Sequence, residues 1–249
     1  MRIDTAMILA GGLGTRFKEY TKDIPKPMIQ ANGMPLLVHI IKFYESHGVE
    51  KIFVLAGYKK EIIFQYFETH GSRISNSENI YTFSKGLTVY ILDTGDETLT
   101  AGRIKKGLKY TKGDLTFLTY GDGISNVNLK NLYKFHMEYN PIVTLTAVRP
   151  PARFGSLEIE NEKVVAFNEK KYSNEGWING GFFILNKSVK EYIDEGNQSF
   201  EKEPLSKISS ENKLIAYKHE GLFRPVDTIR ELEILEAELK ANEFNFDYE

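Results

Sequence analysis

A short, wholly apolar strand running straight into a glycine loop constrains this chain more than any other feature. Ala6-Met7-Ile8-Leu9 leads directly into Ala10-Gly11-Gly12-Leu13-Gly14-Thr15-Arg16. A strand without polar alternation reads as buried, so the glycines sit where a buried strand meets its loop. Helical and strand patterns alternate after it. Leu36, Leu37, Ile40, Ile41 and Tyr44 form a helical stripe, with Pro35 suited to its first turn. Strands are expected at 51–56, 87–92 and 115–120, with helices over 59–68, 99–110 and 128–139 between and after them. This alternation predicts an α/β fold with a mostly parallel sheet flanked by helices.

The second part of the chain is patterned differently. Segments 142–149, 155–160, 163–169 and 177–185 all read as strands, expected to finish the sheet and build a smaller antiparallel β layer. Short helices near 187–194 and 200–210 precede a strand at 213–218. A last helix starts near Thr228, where Thr228-x-x-Glu231 is a capping box ahead of Leu232, Leu235 and Leu239. No internal repeat or Pro/Gly/Ser-rich linker interrupts residues 1–249, so one domain is expected.

The glycines turn backbone N–H groups toward a ligand, and such a nest favours anionic oxygen. Arg16 and Lys26 add full positive charges, Lys26 within a Pro25-Lys26-Pro27 clamp. The implied chemistry is phosphate binding, against the plainer reading of a flexible strand–helix connection. Neither better-known phosphate loop fits. The Gly-x-x-x-x-Gly-Lys-Ser/Thr pattern is absent, and Gly12-x-Gly14 is followed by Phe17 where a dinucleotide fingerprint needs glycine.

Composition removes other classes. With no cysteine there is no disulfide, thiolate nucleophile or sulfur-ligated zinc. The five histidines (39, 47, 70, 136 and 219) include no His-Glu-x-x-His pair, and His39 reads as packed within an apolar helix. A net charge of −2 with dispersed lysine and arginine gives no nucleic-acid face. No apolar run approaches a membrane span, and Met1-Arg2-Ile3-Asp4 does not resemble a signal peptide, so a cytoplasmic enzyme using oxygen-ligated Mg²⁺ is expected.

Tyr120-Gly121-Asp122-Gly123 ends the fourth strand, where ligands gather in open α/β sheets. A helical pattern follows, which disfavours a simple Asp-Gly hairpin. Asp122 therefore suits a magnesium ligand against nucleotide phosphates. Asp227 is a second candidate, although its place before the last helix also suits capping. Glu169-Lys170 reads either as a solvated pair or as a grip on an acceptor phosphate and hydroxyls. Asn179-Gly180-Gly181 interrupts an apolar strand, a mark of a bulge or of a ligand packed against backbone. Arg149-Pro150-Pro151-Ala152-Arg153-Phe154-Gly155 is either a pocket border or an ordinary stiff connector.

Together these segments resemble the glucose-1-phosphate cytidylyltransferases of the sugar nucleotidyltransferase family. The resemblance rests on Leu9 to Arg16, Pro25-Lys26-Pro27-Met28, Asp93-Thr94-Gly95-Asp96 and Thr100-Ala101-Gly102-Arg103. It continues through Thr119 to Gly123, Ile178 to Phe183, Glu203-Pro204-Leu205 and Pro225-x-Asp227-Thr228. It implies a Rossmann-like nucleotidyltransferase fold and transfer of CMP from CTP to glucose 1-phosphate, giving CDP-glucose. It implies catalytic roles for Arg16 and Lys26, and nucleotide contacts at Leu9, Ala10, Gly11, Gly12, Gly14, Thr15, Thr100, Arg103 and Gly121. Glu169, Lys170, Asn179 and Gly180 are expected to face the acceptor, Asp122 and Asp227 to hold Mg²⁺, and the working form to be a homo-oligomer. The chain departs from the family pattern at Lys171, Ala101, Ala152 and Arg224, and is shorter between about 70 and 88. Lys171 and Arg224, as extra cations near the pocket, suggest a more anionic phosphorylated acceptor as an alternative. A nucleotide-binding regulator without turnover is another.

Overall fold

The computed structural model describes residues 3–14, 17, 21–75, 79–84, 86–150, 156–160, 163–168 and 176–244. Its main sheet contains β1 (Thr5–Ala10), β2 (Lys51–Ala56), β3 (Leu87–Asp93) and β4 (Leu115–Tyr120). β5 (Val143–Val148), β6 (Phe183–Asn186) and β7 (Leu214–His219) extend it. From one side the order is β7, β5, β6, β4, β1, β2, β3. Pairing is parallel except that β6 runs antiparallel to both β4 and β5. The described helices are α1 (Leu36–Ser46), α2 (Lys60–His70), α3 (Thr100–Gly107), α4 (Leu129–Tyr139), α5 (Glu203–Ser210) and α6 (Ile229–Lys240).

The apolar first strand explains this layering. All six residues of β1 are buried, and its two faces feed two separate cores. Ala6, Ile8 and Ala10 join Leu36, Leu37 and Ile40 of α1 and Leu232 and Leu235 of α6. Met7 and Leu9, on the opposite face, meet Ala101 and Ile104 of α3 and Leu205 and Ile208 of α5. Alternate side chains of a strand point to opposite faces, so helices on both sides are needed to cover it.

The smaller elements refine the expectations. Ser156–Glu160 and Lys163–Asn168 form the antiparallel layer, a ribbon outside the main sheet. The segment expected as one strand over 177–185 is broken: Ile178–Asn179 and β6 both pair with β5, and Gly180-Gly181 lies between them. The expected helix near 187–194 is a 3-10 helix over Lys187–Tyr192. Sequence periodicity missed Ile80–Ser84, which pairs antiparallel with β3 and with Ser72–Arg73. It also missed a two-stranded ribbon joining Gly123–Ser125 to Phe223–Pro225. Among the described residues, no helix is long and apolar enough to cross a membrane.

Candidate functional site

The strand order reverses direction between β1 and β4, and their carboxyl ends lie side by side with Leu9 opposite Tyr120. Loops diverge at such a point and leave a crevice. The crevice here is a cleft of about 340 Å³. It is lined by Leu9, Gly11, Gly12, Gly14, Lys26, Pro27, Thr98, Leu99, Thr100, Arg103, Tyr120, Gly121, Asp122 and Asp227. Residues expected from five separate stretches of sequence thus share one cavity.

Gly121 shows why the loop needs glycine. Its N–H donates to Leu9 O at 2.9 Å, and a Cβ there would lie 2.9 Å from both that oxygen and Pro27 Cγ. Such contacts are closer than van der Waals packing permits, so no larger residue fits without moving the strand ends apart. This close approach places Asp122, the next residue, on the rim of the cleft.

Lys26 sits on the same rim. Pro25 and Pro27 flank it at a single 3-10 turn, Lys26–Met28, which needs no helix-length hydrogen bonding. Its Nζ donates to Asp122 Oδ2 at 2.7 Å and to Asp227 Oδ1 at 2.6 Å. Burial pulls the ammonium pKa down, but the charges and hydrogen bonds of Asp122 and Asp227 outweigh it and the net shift is upward. Lys26 is therefore held fully charged at neutral pH.

Asp227 is brought to Asp122 by backbone pairing. In the ribbon Pro225 lies opposite Gly123 and Val226 N donates to Asp122 O at 3.0 Å. The capping box at the start of α6 then fixes the turn: Thr228 Oγ1 accepts from Glu231 N, and Glu231 Oε2 accepts from Asp227 N at 2.8 Å. Capping thus engages the Asp227 backbone N–H, while its carboxylate meets Lys26 at the cleft.

Among the described residues, no three His, Asp or Glu side chains gather into a closed metal cage. Asp122 and Asp227 nevertheless fit a hard divalent cation. Two carboxylate oxygens already converge on one positive centre, and Mg²⁺ characteristically takes few protein carboxylates alongside waters and phosphate oxygens.

Arg103 lies behind the glycine loop. It is 3% exposed, and its guanidinium donates to Gly11 O at 2.8 Å, Ala56 O at 3.1 Å, Asp96 O at 3.3 Å and the Thr94 hydroxyl. A Cβ at Gly11 or at Gly57 would come within 2.1 or 2.2 Å of Arg103 Nη1, so the guanidinium is sandwiched between two backbones. Arg103 thereby shapes the glycine loop from beneath.

The other expected positions divide. Ala10 ends β1 and packs into the core. Thr100 opens α3 at the cleft wall. Asn179 reaches the cleft through Tyr120, its Nδ2 donating to the tyrosine hydroxyl at 3.1 Å. Gly180 is buried against Val148, where a Cβ would lie 2.6 Å from Val148 Cγ1. Thr15, Arg16, Glu169, Lys170, Lys171 and the segment 151–155 fall outside the described residues. Arg224 does not supply the extra pocket cation expected of it. It is buried and paired at 2.5 Å with the equally buried Glu238 of α6. Its charge is therefore matched within the fold.

His39 is packed, as expected, with Nε2 3.0 Å from Ala31 O. Sequence reasoning missed Tyr120 and Gly57 as contributors. Tyr120 stood inside a quoted motif at a strand end, whereas only the fold brings Gly57 beside Arg103.

Comparison with known proteins gives the family and the fold. The nucleotidyl transferase family model matches residues 5–223. A glucose-1-phosphate cytidylyltransferase of Salmonella typhi is 41% identical over 242 residues, covering 93% of this chain and 94% of that protein. A probable glucose-1-phosphate cytidylyltransferase of Bacillus subtilis is 40% identical over 237 residues, covering 91% and 92%. The crystal structure of HddC from Yersinia pseudotuberculosis superposes with a TM-score of 0.72 at 26% identity, over 95% of this chain and all of that one. A UDP-glucose pyrophosphorylase in complex with UDP-glucose shares the fold at a TM-score of 0.72 and 16% identity, over 97% of this chain and 100% of that one. With the match running from its first strand to its last ribbon, the chain belongs to the nucleotidyl transferase family, alongside glucose-1-phosphate cytidylyltransferases.

Proposed function

We propose that the chain transfers CMP from CTP to the phosphate of glucose 1-phosphate, giving CDP-glucose and pyrophosphate. The observation that carries this reading is the joining of Lys26, Asp122 and Asp227 on the rim of a glycine-walled cleft. The relatives named above support the nucleotide and the sugar.

An acceptor phosphate oxygen attacks the α-phosphorus of CTP. A new P–O bond forms as the bond to the β-phosphate oxygen breaks, and pyrophosphate leaves with that electron pair. A phosphate monoester has a second pKa of about 6, so at neutral pH the nucleophile needs no general base. The protein has only to align the reactants and offset their negative charge. The glycine-loop amides and Lys26 serve the triphosphate, Arg16 adds a second cation, and Glu169, Lys170, Asn179 and Gly180 border the acceptor. Asp122 and Asp227 are the residues that hold Mg²⁺, which supplies charge neutralisation at the phosphates when bound.

The same reading takes residues 1–249 as one domain, the cytoplasm as the compartment and a homo-oligomer as the working form. Val164 and Val165, 54% and 53% exposed, offer apolar surface for subunit contact.

Pyrophosphate release with Mg²⁺ and glucose 1-phosphate, compared across CTP, UTP, dTTP, GTP and ATP, tests the reading. Release with CTP, accompanied by CDP-glucose in the mass spectrum, is expected. Silence with every nucleotide overturns it.

A further inference from the structure

A hydrogen-bond relay joins two walls of the cleft through Glu201, a residue given no role above. The Tyr120 hydroxyl donates to Glu201 Oε1 at 2.8 Å while accepting from Asn179 Nδ2 at 3.1 Å. The other carboxylate oxygen, Glu201 Oε2, accepts from Thr100 Oγ1 at 2.7 Å and Ser199 Oγ at 2.8 Å. Around it, Phe200 N donates to Thr100 Oγ1 at 2.8 Å, Leu99 N to Asn197 Oδ1 at 2.6 Å, and Asn197 Nδ2 to Glu97 O at 2.9 Å. Segment 197–201 is thereby laced to 97–101, the segment that opens α3 at the nucleotide end of the cleft.

We propose that Glu201 is a positioning residue. Its carboxylate fixes the hydrogen-bond direction of Tyr120 and Asn179 on the acceptor wall and of Thr100 on the nucleotide wall, and so couples the two substrate sites. The assignment of the walls rests on the cytidylyltransfer reading.

The argument is one of donors and acceptors. A carboxylate only accepts. Tyr120 must therefore donate to Glu201, which leaves its oxygen as an acceptor, and only the amide nitrogen of Asn179 can then face it. In that orientation Asn179 Oδ1 accepts from Gly181 N at 2.9 Å, which holds the glycine break between Ile178–Asn179 and β6. Asn179 is exposed and keeps a second amide hydrogen for a hydroxyl or phosphate oxygen of the acceptor. On the other side, Thr100 accepts from Phe200 N and so has its one proton committed to Glu201. Every donor in the relay runs toward Glu201.

Glu201→Gln keeps the size and removes this one-way character. If its amide oxygen serves Thr100 and Ser199, the NH₂ group meets Tyr120 and reverses that hydroxyl. The reversed hydroxyl then points at an Asn179 nitrogen that cannot accept. If the oxygen serves Tyr120 instead, the NH₂ group donates to Thr100 Oγ1 and Ser199 Oγ, and both hydroxyls lose the carboxylate acceptor that fixed their protons and must turn away. Either way one wall loses its order.

The test is steady-state kinetics with CTP, glucose 1-phosphate and Mg²⁺ for wild type, Glu201→Gln, Glu201→Ala, Tyr120→Phe and the Glu201→Gln/Tyr120→Phe double variant, with thermal unfolding of each. Glu201→Gln should stay folded and raise at least one substrate KM roughly tenfold, as expected when a charge-assisted hydrogen bond is lost. In the Tyr120→Phe background, Glu201→Gln should add nothing further to the acceptor KM, because the relay is already cut. An active wild type with both Glu201 variants within twofold in every constant refutes the positioning role and leaves the reaction standing. So do effects of Glu201→Gln and Tyr120→Phe on the acceptor KM that multiply independently. A wild type that releases no pyrophosphate refutes the reaction itself, and the coupling falls with it.

Discussion

Replacing Arg103 with methionine tests whether the glycine loop is held from behind. Methionine has similar length and no charge, so it fills much of the space while removing every hydrogen bond of the guanidinium. Four acceptors lose a donor: Gly11 O, Ala56 O, Asp96 O and the Thr94 hydroxyl. A hydrogen bond to a charged group contributes roughly 1.5–3 kcal/mol. Two effects reduce the sum. Gly11 O keeps Tyr58 N at 3.2 Å and Ala56 O keeps Thr94 N at 2.9 Å, so neither is orphaned. Burial of the guanidinium also has a cost, visible as a lowered pKa, which methionine relieves. The net loss is then about 2–4 kcal/mol, or roughly 5–15 °C in Tm for a chain of this size. The Gly11 carbonyl also loses its tie to α3, keeping only Tyr58 N, so the nucleotide KM should rise about tenfold or more while kcat changes less. Differential scanning calorimetry without ligand and pyrophosphate-release kinetics read the two effects. Gly57→Ala, outside the cleft lining, should reproduce both because its Cβ would displace the same guanidinium. An Arg103→Met protein with Tm within a degree of wild type and an unchanged nucleotide KM would refute the reasoning.

Asp122→Asn and Asp227→Asn should each lower turnover by about a hundredfold or more with little change in Tm; retention of metal-dependent turnover by both would remove the carboxylates from the site. His136 is fully buried against Thr144 Oγ1, and burial lowers its pKa from 6.5 to about 4. The unfolded chain therefore takes the proton first, so this stability is present above pH 6.5 and is lost as pH falls toward 4. Urea titrations should show wild type losing about 2 kcal/mol more than His136→Gln between pH 7 and pH 5; equal losses would contradict this. Glu238→Ala strands the buried Arg224 charge and should cost about 3–5 kcal/mol, whereas the Arg224→Leu/Glu238→Leu double variant should be close to neutral. If that double variant raised the acceptor KM sharply, Arg224 would belong to the pocket after all.

Much of this was legible because it is local. The apolar run from Ala6 to Leu9, the glycines after it and the capping box at Thr228 each declare their geometry within a few residues. Alternation then placed β2, β3 and β4 and the helices near them. What the sequence hid depends on residues far apart. Nothing near Arg224 reveals that Glu238 will neutralise it, and nothing near Gly57 reveals the Arg103 side chain. The Gly123–Ser125 and Phe223–Pro225 ribbon is three residues per strand, too short for a period to emerge. Ile80–Ser84 lies in a stretch with no strict polar alternation, and its pairing with β3 is set by the edge of the finished sheet.

That ribbon has a consequence for the order in which the site comes into being. The glycine loop, Lys26 and Asp122 all belong to the first half of the chain, but Asp227 arrives only with the strand Phe223–Pro225. During synthesis on the ribosome, a nascent chain can assemble β1 to β4 and the glycine loop while the Asp122–Asp227 pair is still incomplete. Until the late segment docks, Lys26 has Asp122 alone as its partner across the rim. The proposed site is thereby complete only once a segment 201 residues beyond Lys26 has been made and docked.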